Sequence, residues 1–255
     1  MRPFFRLAWR LAALGLLTLI LMPVQLAAVA IFPRVARKIP TLYHAWGARI
    51  LGLNVCEIGK PAAARPLLIV ANHVSWLDIS LITTALSVSF IAKREVKSWP
   101  VFGLLARLQR SVFVDRTRPR QSADANSEIA GRLLAGDAMV LFAEGTSGDG
   151  RDVLPFRSSL IGAATEACAR LPDGRVFIQP LAVTYVGEAG HIAPWYGDMD
   201  LVPHFGRVLR APALQAVLSW GEPIACSGQS DRKQVAKELE EEVRTLTRRA
   251  CVEYA

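Results

Sequence analysis

From Leu11 to Ile31 the chain runs for 21 residues without a charge, with Thr18 and Gln25 as its polar side chains and Pro23 as its only proline. At ~1.5 Å of rise per residue, such a helix is just long enough to cross ~30 Å of hydrocarbon. Arg2, Arg6 and Arg10 precede or enter it, Arg34, Arg37 and Lys38 follow it, and Phe4, Phe5 and Trp9 lie where one membrane interface would be. A cleaved signal peptide would share the basic start and a small-residue site, and Ala28-Val29-Ala30 fits one. The length of the run and the basic residues directly after it favour a retained anchor. Three basic residues on each side give no orientation, and Pro23 permits a helix that bends and re-enters. We therefore expect residues 1–38 to be an N-terminal membrane anchor and residues 39–255 to be one domain.

The charge is distributed to match. The 255 residues carry a net +8, of which residues 1–60 hold +7 and residues 93–120 hold +6, so the remainder sums to −5. A nucleic-acid binder needs its basic residues on one soluble face, whereas these flank an apolar helix or share one segment. The partner implied is an anionic lipid surface and not a nucleic acid. A hydrophobic content of 52% excludes a disordered chain. The four cysteines (Cys56, Cys168, Cys226 and Cys251) have neither disulfide-framework nor metal spacing, so no metal is expected.

Beyond the anchor the pattern alternates. Thr41–Leu51 has helical periodicity and stops at Gly52. Leu67–Ala71, Ser89–Ala92, Ser111–Val114, Met139–Ala143 and Val176–Val183 are short aliphatic runs of buried-strand type. Helical stretches near 77–86, 94–107, 121–135 and 159–170 separate them, and an Ala216–Trp220 strand leads to a final helix from Ser230. That helix sets Val235, Leu239, Val243 and Leu246 on one stripe. This predicts an α/β fold: a mixed, largely parallel sheet flanked by helices, preceded by an N-terminal membrane helix.

Few residues carry chemistry. Of the four histidines, His44 lies on an apolar helix and reads as structural, while His191 and His204 fall in turn-rich sequence without a local partner. His73 follows the Leu67–Ala71 strand in Asn72-His73-Val74-Ser75-Trp76-Leu77-Asp78. Residues five apart do not align on one helix. With His73 on the strand-exit loop and Asp78 in the first helical turn, the carboxylate accepts from Nδ1 and leaves Nε2 as a base. No G-x-S-x-G, H-E-x-x-H, Walker or G-x-G-x-x-G pattern is present, so neither a serine nucleophile nor a cofactor is implied. Gly145 to Gly150 is glycine-rich but lacks the P-loop lysine and reads as a tight turn.

Read in order, four blocks resemble the glycerolipid acyltransferase family typified by bacterial 1-acylglycerol-3-phosphate acyltransferase. They are Asn72-His73 through Asp78, Ser111 to Arg116, Phe142-Ala143-Glu144-Gly145-Thr146, and Gln179 to Val183. Ala92 to Glu95 and Trp99 to Gly103 also resemble family segments. The resemblance spans about residues 67–185. It implies direct acyl transfer without an acyl-enzyme, from acyl-carrier protein or acyl-CoA to a lysolipid hydroxyl, with His73 as base and Asp78 orienting it. It also implies that Arg116, Glu144, Gly145, Thr146 and Arg157 line the acceptor site, and that the domain sits on the cytoplasmic side of the inner membrane.

Two departures from the family stand out, the first a small change of loop stiffness and the second one that bears on the acceptor. Ala143 replaces a proline of the family, and Ser147 stands where an arginine is usual after the threonine. Losing that arginine removes a bidentate phosphate contact. The expected acceptor is 1-acyl-sn-glycerol-3-phosphate, giving phosphatidic acid. The alternative is the lyso-ornithine lipid branch, to which the Ser147 departure and the Trp195 to Asp200 segment are similar. An alternative of another class is a non-catalytic lipid-binding protein that keeps the fold, against which the intact His73/Asp78 pair argues.

Overall fold

The computed structural model describes residues 2–114, 119–162 and 174–254. The uncharged run lies in helix α1 (Pro3–Ile31), with Pro3 in the first turn, where a missing N–H costs nothing. Helix α1 is inside-out. Phe4, Phe5, Trp9, Leu16, Leu19 and Ile20 are exposed, while its buried residues are Arg10, Gln25 and Ala28. A helix that hides its polar groups and displays its apolar ones is built for hydrocarbon on its outer side. A short helix α2 (Pro33–Ala36) turns the chain into α3 (Ile39–Leu51). Helix α3 ends as its sequence predicts, at Gly52 in the left-handed conformation with φ +73°.

Eight strands form one sheet: β1 (Leu53–Ile58), β2 (Leu67–Ala71), β3 (Ser89–Lys93), β4 (Val112–Val114), β5 (Ala138–Phe142), β6 (Arg175–Val186), β7 (Leu214–Trp220) and β8 (Ile224–Ser227). Their order is β1-β7-β6-β2-β5-β3-β4, with β8 pairing β6. The β1–β7, β6–β2, β2–β5, β5–β3 and β3–β4 pairs are parallel, and β6 is antiparallel to β7 and β8. The sheet is therefore mixed and largely parallel, as the alternation predicts.

Between the strands lie α4 (Leu77–Ala85), α5 (Phe102–Leu108), α6 (Pro119–Leu134), α7 (Leu201–Arg210) and α8 (Arg232–Glu253). Strand β2 explains why the sheet needs helices on both faces. All five of its residues are buried, Leu68 and Val70 in one core and Leu67, Ile69 and Ala71 in the other. The first core is closed by Ile129 and Leu133 of α6 and by Val235, Leu239, Val243 and Leu246 of α8. The second is closed by Ala48 and Leu51 of α3, Leu77, Leu81 and Ile82 of α4, and Val208 and Leu209 of α7.

The 94–107 stretch is not one helix. A 3₁₀ turn (Arg94–Ser98) precedes α5, because Trp99 sits before Pro100 and is held extended at ψ 130°. The expected helix at 159–170 is helical over 158–162, and its remainder lies outside the described residues. Strands β1 and β8 and helix α7 have no counterpart in the sequence reading.

Candidate active site

The site grows from the end of β2, where Ala71 pairs with Phe142 on one side and Leu181 on the other. Asn72 then continues the ladder with its side chain. Its Nδ2 donates to the Val183 carbonyl at 3.0 Å and its Oδ1 accepts from the Val183 N–H at 2.8 Å. This side-chain splice ends the strand and releases His73 into the loop before α4.

His73 Nδ1 lies 2.8 Å from Oδ2 of Asp78, the second residue of α4. The same oxygen accepts the backbone N–H groups of Val74 (2.8 Å) and Ser75 (3.0 Å), and Oδ1 accepts the Tyr185 hydroxyl at 2.7 Å. Asp78 is fully buried, and these donors supply what water would otherwise give a carboxylate. An acceptor facing Nδ1 puts the proton there and leaves the Nε2 lone pair free. The ring is also clamped flat, stacked on Phe142 at 4.0 Å between centroids with 16° between planes, and Phe142 in turn stacks on Phe90. The Tyr185 hydroxyl is pushed well above its ordinary pKa, first by burial and then by the Asp78 charge, so it stays a donor.

His73 opens onto a cavity of about 1310 Å³, larger than the ~300–1,000 Å³ usual for small-ligand pockets. Leu11, Leu14, Leu21 and Met22 of α1 form one wall, and Ile79, Phe102 and Leu105 are among the apolar residues lining the rest. Gly145, Thr146, Ser147, Arg157 and Trp195 line it too, so Gly145, Thr146 and Arg157 from the sequence reading share the cavity with His73. Gly145 takes φ +75° in the turn after β5, and the turn is tied to the base by the Gly148 N–H, which donates to the His73 carbonyl at 2.8 Å.

Glu144 is elsewhere. It is buried and is not among the cavity-lining residues; its carboxyl accepts the backbone N–H groups of His73 and Leu154. Burial pushes its pKa up to about 8, against the two backbone donors and with a smaller push from Asp78. Arg116 lies outside the described residues.

Sequence reasoning missed Tyr185, the contact that Trp195 makes and the partners of two histidines. The Trp195 N–H donates to the Val74 carbonyl at 2.9 Å, next to the base. His204 accepts the Trp76 indole N–H on Nδ1 and donates from Nε2 to the Ile192 carbonyl, so its tautomer is fixed. His44 donates from Nε2 to Gln109 Oε1 and accepts from Ser80, and burial pushes its pKa down to about 4. Among the described residues no three His, Cys, Asp or Glu side chains gather as a metal set.

The chain is similar to known proteins. The model of a family described as Acyltransferase matches residues 54–184. The chain is 42% identical to the lyso-ornithine lipid O-acyltransferase of Brucella abortus, over 94% of this chain and 93% of that one. It is 30% identical to the 1-acyl-sn-glycerol-3-phosphate acyltransferase of Neisseria gonorrhoeae, over 74% of this chain and 73% of that one. The crystal structure of the 1-acyl-sn-glycerophosphate acyltransferase of Thermotoga maritima superposes with a TM-score of 0.71 at 22% identity, covering 98% of this chain and 97% of that one.

Proposed function

Since the chain belongs to the acyltransferase family, we propose that it transfers a fatty acyl group from a thioester of acyl-carrier protein or coenzyme A to the hydroxyl of a lyso-ornithine lipid. The observation that carries the chemistry is His73, paired with the buried Asp78, on the wall of a large and mainly apolar cavity. The acyl chain lies in the cavity with its thioester carbonyl beside His73. His73 Nε2 takes the proton of the acceptor hydroxyl as its oxygen attacks the carbonyl carbon. The tetrahedral intermediate collapses, the C–S bond breaks, and the imidazolium returns the proton to the departing thiolate. Asp78 remains ionised and holds the imidazolium; no covalent enzyme intermediate forms.

The acceptor follows from similarity and from one substitution. The relative at 42% identity acts on lyso-ornithine lipid, and the one at 30% acts on 1-acyl-sn-glycerol-3-phosphate. Ser147 lines the cavity where the resemblance leads one to expect an arginine, and a phosphate site without that fork is weaker. Lysophosphatidate is the second reading, favoured by Arg157 and the glycerolipid relatives. Glu144 supports the loop from beneath, and Arg116 is proposed as a headgroup contact on the family resemblance alone.

We read α1 as lying along the domain and immersed on its outer side. Arg10 donates to the carbonyls of Val208, Leu209 and Ala211, and Gln25 donates to those of Ala36 and Leu108. Fifteen residues, about 22 Å of helix, separate the two grips, and both hold the same body. Soluble thioester donors then require the domain on the cytoplasmic face of the inner membrane. The test gives purified protein each acceptor with each donor. Faster acylation of lyso-ornithine lipid is expected. The reverse order moves the acceptor to lysophosphatidate, and no turnover of either overturns the reading.

A further inference from the structure

The cavity's charged residues are few and of both signs. Among its described lining residues Glu95 is the one acid, Lys93 and Arg157 are the bases, and none of these three side chains has an ion-pair or hydrogen-bond partner among the described residues. A site for a purely anionic headgroup gains nothing from a free carboxylate on its wall; a zwitterionic headgroup does. Two tryptophans share the cavity with this acid. Trp99 and Trp195 both line the cavity and meet edge to face, with centroids 6.1 Å apart at 83°. The Trp195 ring is fixed by a hydrogen bond and the Trp99 backbone by the turn before it. The Trp195 indole donates to the Met199 carbonyl at 2.8 Å, and its backbone N–H is bonded to Val74 beside the base. Trp99 closes the 3₁₀ turn that carries Glu95, its N–H donating to the Val96 carbonyl.

Tryptophan faces attract cations more strongly than other side-chain rings do, and a carboxylate nearby adds charge complementarity. We propose that Trp99, Trp195 and Glu95 form a subsite for a primary ammonium group on the acceptor headgroup, and that Arg157 takes the headgroup carboxylate. The subsite rests on the lyso-ornithine reading of the acceptor. In such a lipid the α-amine is tied up in the amide, so the head offers one carboxylate and one side-chain ammonium. Holding both fixes the head at two points. The hydroxyl, across the amide from them, is then presented to His73 from the side where Trp195 touches the base's loop.

The experiment compares two acceptors with the full-length protein in mixed micelles: lyso-ornithine lipid and the same lipid with its side-chain amine acetylated. The readout is the ratio of kcat/KM for the free amine over that for the acetylated form. The wild-type ratio is expected at about tenfold or more. Trp99→Leu and Glu95→Gln should bring it toward one, mostly through KM. Trp195→Phe, which keeps an aromatic face, should retain part of it, and a preserved circular-dichroism spectrum separates lost recognition from lost fold. Variants that keep the wild-type ratio, or a wild-type ratio of one, overturn the subsite. A wild type that acylates lysophosphatidate but neither ornithine-derived acceptor overturns the acceptor reading itself, before any variant is made.

Discussion

Tyr185 donates its hydroxyl to Asp78 Oδ1 at 2.7 Å across 107 residues of sequence, from the C-terminal end of β6 to the first turn of α4. It is the one donor on that oxygen among the hydrogen bonds described, while Oδ2 collects His73 and two backbone N–H groups. Tyr185→Phe should therefore leave the dyad in place with its carboxylate under-solvated. We expect a loss of about 1.5–3 kcal/mol of stability and about tenfold in kcat, with KM for the acceptor nearly unchanged. Equilibrium unfolding and steady-state kinetics on one preparation read both.

His73→Ala and Asp78→Ala should both lower kcat by about 10²–10⁴-fold but should separate in stability. Removing His73 empties a position at the cavity edge. Removing Asp78 orphans the Val74 and Ser75 N–H groups and the Tyr185 hydroxyl in a buried setting, which costs about 3–5 kcal/mol. Paired thermal melts in detergent measure the gap; equal melting temperatures would contradict the buried-anchor role of Asp78.

Glu144 predicts a pH signature. Its ordinary pKa of 4.5 is raised by burial to about 8. Between those values the folded protein holds a proton that the unfolded chain has released, so this group's contribution falls as pH rises from 4.5 to 8 and is level outside that window. Glu144→Gln keeps an acceptor for the His73 and Leu154 N–H groups without titrating. Its melting temperature should exceed that of the wild type by a margin that widens from pH 5 to pH 8.

Arg10 should tie the membrane helix to the catalytic domain. Its guanidinium meets three carbonyls at the C-terminal end of α7, where four carbonyls lack intrahelical partners. Arg10→Leu makes α1 more apolar yet should destabilise the protein by about 3 kcal/mol. Limited proteolysis in micelles should show faster cleavage between α1 and α3.

Ser147→Arg tests the acceptor preference. A guanidinium added to the cavity wall offers a fork to a phosphate. The variant should gain about tenfold in kcat/KM on lysophosphatidate relative to lyso-ornithine lipid. A ratio that does not move would mean that residue 147 does not face the headgroup.

Much of this was legible where cause and effect are close in sequence. Leu67–Ala71 reads as a parallel central strand because a strand covered on both faces has no polar side to alternate. His73 and Asp78 could be paired because a strand exit and a helix start fix their separation. Tyr185, Trp195 and Arg10 could not, since each acts on residues more than 100 positions away. Glu144 carries the family's motif, yet its carboxyl turns beneath the loop rather than into the cavity, a matter of backbone path that residue order does not encode. Helix α7 stayed hidden because Pro203, Gly206 and three basic or histidine side chains interrupt its ten residues, although Val208 and Leu209 are buried on it. The single helix expected at 94–107 failed at Pro100.

Helix α1 is both the wall of the cavity and, on our reading, a surface in contact with lipid. One helix diameter thus separates the reacting carbonyl from the bilayer. The reactant and product lipids need not pass through water at all. The quantity that sets the rate is then the mole fraction of lysolipid in the leaflet rather than its molarity in solution. Diluting the acceptor with inert phospholipid at constant total concentration should slow the enzyme as effectively as withholding it.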